Sequence, residues 1–155
     1  MGNTCCFFGH RTINESEELK IKLFHAIENL ITNANVDTFL FGSKSQFDRF
    51  SYDVVTAIKE KYPHIRRIYV RAEFPIITEQ YNAYLLSKYE NTYYPEKILR
   101  SGRAAYIERN FEMIDNSNYC IVYYEELRAS ARSKSGTRIA LDYAIKHKKE
   151  IIIFG

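Results

Sequence analysis

Apolar residues follow two alternating patterns along the chain. Short unbroken apolar runs, such as CCFF at residues 5–8, are typical of strands buried on both faces of a sheet. Between these runs, apolar positions recur at helical spacing, as at Leu19, Leu23, Ile27 and Leu30. The alternation predicts an α/β fold, a Rossmann-like three-layer sandwich with a mainly parallel central sheet of about five strands.

The pattern sets approximate bounds for each element. Strands are expected at residues 4–8, 38–41, 67–70, 119–123 and 150–154. Helices are expected at residues 15–33, 47–62, 79–89, 104–116 and 137–148. In the fourth helix, the spacing predicts that Ala104, Ile107, Phe111 and Ile114 face the core.

Residues 72–102 break this regularity with two prolines and many tyrosines. Apart from the short helix, they are expected to form a long surface excursion, and loops of this length are usually functional or disordered. The aromatic content argues against disorder. We expect Tyr93 and Tyr94 to close over a bound base or to contact a neighbouring subunit.

Composition narrows the class of protein. The 155 residues are 46% hydrophobic and 26% charged, and they predict one domain spanning residues 1–155 in the cytoplasm. Neither a membrane span nor a signal peptide is expected. Cys5, Cys6 and Cys120 lie in apolar runs without metal-ligand spacing, so they are expected to be buried thiols, and no metal or cofactor is expected. The net charge of +3 is too mild to indicate duplex DNA binding.

The candidate chemistry lies where the predicted strands end. Ligands of such sheets bind beyond the carboxyl ends of the strands, and free amides at a helix N-terminus bind anions. The residues at these positions combine glycine with hydroxyl and charged side chains, and they are Gly9, His10, Arg11, Gly42, Ser43, Lys44, Ser45, Arg71, Glu73, Ser135, Gly136 and Thr137. Two simpler interpretations stay open, namely an ordinary helix N-cap at Ser135–Thr137 and an ion pair between Arg11 and Glu15.

Several familiar motifs are absent from the sequence. Neither G-x-G-x-x-G after the first strand nor G-x-x-x-x-G-K-[ST] occurs, which disfavours a standard dehydrogenase or a P-loop ATPase. No H-E-x-x-H or paired Cys/His spacing indicates zinc.

Four short motifs occur in an order that resembles a known superfamily. They are F-G-H-R ending at Arg11, Gly42 followed by Q-F-D, Y-P-E at residues 94–96, and S-G-T at the start of the last helix. Together they resemble a subgroup of the SLOG superfamily, small bacterial and phage Rossmann-like domains related to the Lonely Guy phosphoribohydrolases and to the DprA proteins. The resemblance implies a pocket for a nucleotide or nucleotide-derived molecule, and a homo-oligomer.

The same resemblance indicates site residues. The segment YIERNFEM places Arg109 where Lonely Guy enzymes have a functional arginine, whereas Ile139 and Ala140 stand where their catalytic glutamates would be. With Glu73 and Glu108 as substitutes for those carboxylates, the catalytic candidates are Glu73, Glu108 and Arg109. The predicted ligand-binding set is Gly9, His10, Arg11, Gly42, Ser43, Ser45, Phe47, Asp48, Arg71, Arg103, Arg109, Ser135, Gly136 and Thr137.

Three functions follow, in order of preference. The first is a sensor or sequestering protein for a nucleotide-derived signal such as a cyclic nucleotide or an ADP-ribose derivative, in phage defence or anti-defence, and not an enzyme. The second is a nucleotide N-glycosidase or phosphoribohydrolase with a relocated carboxylate. The third is single-stranded DNA binding through Arg128, Arg132, Lys134 and Arg138. Nucleic acid and membrane are therefore disfavoured as partners, and a small molecule is favoured.

Overall fold

A computed structural model describes residues 2–42, 44–125 and 135–155. The strands are β1 (Asn3–Gly9), β2 (Val36–Phe41), β3 (Arg66–Val70), β4 (Asn91–Tyr93), β5 (Tyr119–Tyr123) and β6 (Glu150–Phe154). The helices are α1 (Glu17–Asn33), α2 (Gln46–Lys59), α3 (Glu79–Lys88), α4 (Arg103–Asp115) and α5 (Gly136–Lys146). No helix among these residues is long and apolar enough to cross a membrane.

The strands form one all-parallel sheet in the order β4-β3-β2-β1-β5-β6. The Rossmann-like α/β prediction is therefore confirmed. The chain moves outward from β1 through β2, β3 and β4, and then returns to the other side of β1 to add β5 and β6. Because the order reverses between β1 and β5, the sheet has its topological switch point beside β1, and crevices at such points are where ligands bind in these folds.

The sheet is covered on both faces, as its apolar strands require. Along β1, Cys5 and Phe7 join one buried cluster with α1 and α2, whereas Cys6 and Phe8 join a second cluster with α4 and α5. All four side chains are at most 4% exposed. This alternation explains why the run CCFF has no polar position, since each face of the strand packs against helices.

The sheet has six strands rather than about five. The additional strand, β4, lies inside the excursion and pairs with β3 through Ile68–Asn91, Tyr69–Thr92 and Val70–Tyr93. Its sequence, NTY, contains no apolar run because an edge strand of three residues has few buried positions.

The inward face of α4 also differs from the prediction. Its buried residues are Ala105, Arg109, Met113 and Ile114, so of the expected stripe only Ile114 is fully buried. The helix turns an arginine toward the sheet, which counting apolar positions does not predict. This rotation places Arg109 beneath the edge of the sheet where the strands end.

Candidate functional site

A cleft of about 870 Å³ opens at the carboxyl ends of β1, β2 and β3. The starts of α4 and α5 complete its walls. The residues that line it are Phe8, Gly9, His10, Arg11, Gly42, Lys44, Ser45, Tyr69, Arg71, Ala72, Glu73, Phe74, Tyr81, Arg103, Tyr106, Ile107, Arg109, Asn110, Ser135, Gly136 and Thr137. A cleft of this size falls in the range of small-molecule sites.

Arg109 forms the floor of the cleft and is only 3% exposed. Its Nη1 donates to the carbonyl oxygens of Gly42 and Val70, which end β2 and β3, and its Nε donates to Asn110 Oδ1 at 2.9 Å. No hydrogen bond from Nη2 and no ion pair of Arg109 is found among the described residues. Burial lowers the pKa of Arg109, because removing the guanidinium from water disfavours its charged form. An anion in the cleft would compensate this charge.

Gly42 leaves the space that Arg109 occupies. A Cβ at this position would lie 2.8 Å from both the Arg109 Cδ and the Met113 Sδ. Gly9 has a similar role at the end of β1, where a Cβ would collide with the Phe47 side chain. The two glycines therefore allow side chains from α4 and α2 to pack directly against the strand ends.

Two helices begin at the cleft with a serine cap. Ser45 caps α2 by accepting from the amide of Asp48 at 3.0 Å, and Ser135 caps α5 by accepting from the amide of Arg138 at 3.1 Å. The N-cap interpretation of Ser135 is therefore confirmed. The same residue lines the cleft together with Gly136 and Thr137, so the first turn of α5 also presents its positive end to the cavity.

His10 is held from behind by the end of β5. Its Nε2 accepts the backbone amide of Glu125 at 2.8 Å, and its ring lies 5.4 Å from that of Tyr124 between centroids. Arg11 is exposed, and among the described residues it has no ion pair. The expected partner, Glu15, accepts from Gln46 instead, so the ion-pair interpretation of Arg11 is not supported.

Glu73 stands at the rim between two donors. The Tyr106 hydroxyl donates to its Oε1 at 2.6 Å, and Lys44 Nζ lies 3.3 Å from its Oε2. The hydrogen bond from Tyr106 and the charge of Lys44 lower the pKa of Glu73, and the carboxylate raises the pKa of Tyr106. Glu73 is therefore an ionised acceptor, which suits stabilising a cation better than donating a proton.

The charge in the cleft is strongly one-sided. Its cationic lining residues are Arg11, Lys44, Arg71, Arg103 and Arg109, and Glu73 is the single carboxylate among the described lining residues. A smaller hollow of about 240 Å³ adjoins it and adds Arg49. Low-dielectric walls lined with one sign of charge concentrate ions of the opposite sign.

Most of the predicted ligand-binding set meets at this cleft. Gly9, His10, Arg11, Gly42, Ser45, Arg71, Arg103, Arg109, Ser135, Gly136 and Thr137 line it. Phe47 and Asp48 are buried and do not line it, and Ser43 lies outside the described residues. Of the catalytic candidates, Glu73 and Arg109 line the cleft, whereas Glu108 does not and accepts from the amide of Leu99 at 3.1 Å.

The aromatic side chains at the cleft are not the expected ones. Tyr93 and Tyr94 are half-buried against apolar clusters and do not line it. Phe74, Tyr81 and Tyr106 take that place, and Phe74 is 54% exposed. Their positions in the sequence indicate this location. Phe74 follows β3, and Tyr106 lies one helical turn before Arg109 on the same face of α4.

The comparisons with known proteins find a relative of prophage origin. No family model matches it. It is 31% identical over 147 residues to the uncharacterized SPbeta prophage-derived protein YoqJ of Bacillus subtilis (strain 168), an alignment that covers 83% of this chain and 81% of that protein. The chain belongs to the YoqJ family. The phage association predicted from the motifs is thus supported by the YoqJ relative.

A solved structure shares the fold of this YoqJ-family chain. It is DNA processing protein A from Helicobacter pylori, a protein with a single-stranded DNA binding mode. The TM-score is 0.62 at 15% identity, with 97% of this chain and 64% of that chain covered. The chain thus spans less than two thirds of that protein. The likeness shows a common fold and agrees at that level with the resemblance to the SLOG superfamily.

The expectation that nucleic acid is disfavoured as a partner is wrong. A protein of the same fold has a single-stranded DNA binding mode. The net charge of +3 gave no sign of nucleic-acid binding, but a whole-chain sum does not report the local charge of a cleft lined by five cationic side chains and one carboxylate. The basic residues named for the third hypothesis, Arg128, Arg132 and Lys134, lie outside the described residues, whereas Arg138 pairs with Asp142 at 3.0 Å.

Proposed function

We propose that this chain binds a nucleotide or nucleotide-derived molecule in the cleft, as a sensor or sequestering protein. The buried guanidinium of Arg109 carries the proposal. Asp48 and Glu73 favour its charged form without forming an ion pair with it, and its Nη2 makes no hydrogen bond among the described residues. The phosphate would bind Arg109 and the first amides of α5, which together provide donors and positive potential.

The remaining walls suit a base and a sugar. Phe74 and Tyr106 present aromatic surface beside the cations, and an exposed ring can stack on a base without regard to its identity. We propose that this binding serves phage defence or anti-defence. The prophage origin of the YoqJ relative supports this role.

Single-stranded DNA binding is the second candidate. The fold likeness to a protein with a single-stranded DNA binding mode favours it. So does the smaller hollow, where Arg11, Lys44 and Arg49 extend the basic surface past the cleft. A strand would place one nucleotide in the cleft and run its next phosphates along these cations.

A thermal-shift panel on the purified chain separates these functions. The ligands are AMP, ADP-ribose, NAD, cyclic dinucleotides and a deoxyadenosine ladder of increasing length, each recovered afterwards by chromatography. A nucleotide that raises the melting temperature and returns intact supports the proposal, with about 2.7 kcal/mol of stabilisation at a hundredfold excess over its Kd. Release of free base would instead indicate an N-glycosidase with Glu73 as the carboxylate.

The DNA candidate has a separate signature. Affinity that rises with strand length and falls steeply with salt supports it, because each phosphate neutralised by a cation releases counterions. A free nucleotide in a closed cleft shows neither length dependence nor a steep salt slope. No shift with any nucleotide or strand would contradict both candidates.

A further inference from the structure

Glu73 is a negatively charged residue in a cleft that otherwise favours anions. It is the one carboxylate among the described lining residues, which include five cationic side chains. A ligand that offered only phosphate would be repelled by it, since like charges in a low-dielectric cleft disfavour each other. A carboxylate in this position becomes favourable when the ligand also offers a hydrogen-bond donor.

The surroundings of Glu73 fix it as an acceptor. Tyr106 and Lys44 both donate to it, and they come from α4 and from the loop after β2, so the carboxylate is held from two sides. Each carboxylate oxygen can accept more than one hydrogen bond, and the Glu73 side chain is still 32% exposed. The group therefore keeps acceptor capacity that faces the cavity.

The position of Glu73 relative to Arg109 indicates which donor it meets. The Arg109 guanidinium lies 5.6 Å from the centre of the Tyr106 ring, and the Tyr106 hydroxyl contacts Glu73. One aromatic ring thus separates the buried cation from the carboxylate. In a mononucleotide the 5′-phosphate and the ribose hydroxyls belong to the same sugar, so a phosphate at Arg109 brings these hydroxyls to the same part of the cleft as the carboxylate. Acidic side chains that accept from ribose hydroxyls are also an established device of dinucleotide-binding α/β folds, there on a different strand.

We infer that Glu73 accepts a hydrogen bond from the 2′-hydroxyl of the ligand's ribose, so that the cleft selects ribonucleotides over 2′-deoxyribonucleotides. The inference rests on the proposed function, since it takes the phosphate to lie at Arg109. Tyr106 acts here as a positioning residue, because its hydroxyl aims the carboxylate. The selected chemistry is a ribonucleotide, either free or as a unit of RNA.

The test measures the ratio of affinities for AMP and 2′-deoxy-AMP by calorimetry. The variants are Glu73→Gln and Tyr106→Phe, with Glu60→Gln as a control that makes the same chemical change on an exposed residue at the end of α2. The wild type and Glu60→Gln should prefer AMP by roughly tenfold, the effect of one hydrogen bond to a charged group. Glu73→Gln should bring the ratio of the two affinities close to one. It should not lower the affinity for 2′-deoxy-AMP, because it removes a charge that repels the phosphate.

The remaining outcomes separate this inference from the proposed function. Equal affinity of the wild type for both nucleotides would overturn the ribose assignment and leave nucleotide binding in place. A preference for AMP that persists in Glu73→Gln would overturn the role of Glu73. If the wild type binds neither nucleotide, nor oligomers of riboadenosine and deoxyadenosine, the inference fails. The proposed function then depends on the other ligands of the thermal-shift panel. A ribose preference in the oligomers alone would support RNA as the source, and one in the mononucleotides alone would support a free ligand.

Discussion

Single residues at the cleft combine a structural and a ligand-facing role. Gly42 gives Arg109 its space, Ser135 caps α5 while lining the cavity, and Tyr106 holds Glu73. The positions of most of these residues could be predicted from sequence, because glycine and hydroxyl residues after a buried strand must lie at one edge of a parallel sheet. Their partners could not, because Tyr106, Lys44 and Glu73 meet only through packing of distant elements.

Gly136 offers a test at this scale. Apart from its chain neighbours and the backbone of its own helix, no atom of the described residues lies within 4 Å of a Cβ built there. Because Gly136 is also the first residue of α5, Gly136→Ala should leave the free energy of unfolding unchanged or slightly increased. The added methyl would stand in the space where an anion approaches the amides, so the affinity for AMP should fall severalfold. Urea unfolding and calorimetry measure the two effects. An unchanged affinity would place the phosphate away from α5.

At the level of elements, the strands and helices were largely predictable and the edge of the sheet was not. Buried strands such as β1 can be recognised in the sequence by their unbroken apolar runs. The edge strand β4 has no such run and is held by polar contacts. Thr92 Oγ1 donates to the Tyr69 carbonyl at 2.8 Å, and Arg67 makes paired hydrogen bonds to Glu90 just before the strand begins. Such contacts are invisible to a pattern of apolar positions. The inward turn of Arg109 on α4 escaped prediction for the same reason.

The Arg67–Glu90 contact predicts a pH dependence. Burial by itself raises the pKa of Glu90, but the hydrogen bonds and charge of Arg67 outweigh it, so the pKa is lowered. A pKa that is lower in the folded than in the unfolded chain stabilises the fold above the unfolded value. This stabilisation is lost as the pH falls through the folded value.

Glu90→Gln should therefore cost about 1 kcal/mol at neutral pH, since partial exposure screens the pair, and much less in acid. Urea unfolding between neutral and acidic pH measures this, with Glu60→Gln as the matched control. A constant difference between wild type and Glu90→Gln at every pH would show that the ion pair is not its source.

For the whole molecule, the sheet order explains why the cleft forms where it does. The strand order reverses beside β1, so the helices that follow β1 and β5 lie on opposite faces of the sheet and leave an opening at the strand ends. Cationic side chains from several separate elements line this opening and make it positively charged. Sequence could predict the edge and its basic residues, but the depth of the cleft depends on how the helices pack. The homo-oligomer and the single domain stay predictions at this scale.

In the proposed function, the buried charge of Arg109 binds the phosphate of a nucleotide. Calorimetric titration of AMP into wild type, Arg109→Met and the control Arg66→Met tests it most directly. Arg66 is exposed at the amino end of β3, opposite the end that lines the cleft. Arg66→Met therefore makes the same chemical change at a position outside the cleft. Arg109→Met removes a buried charge but also the donor to the Gly42 and Val70 carbonyls, so its folding is checked by circular dichroism before the titration. Arg109→Met should bind AMP about ten- to a hundredfold more weakly than wild type, whereas Arg66→Met should bind it as wild type does. A folded Arg109→Met that binds AMP with wild-type affinity would contradict the account.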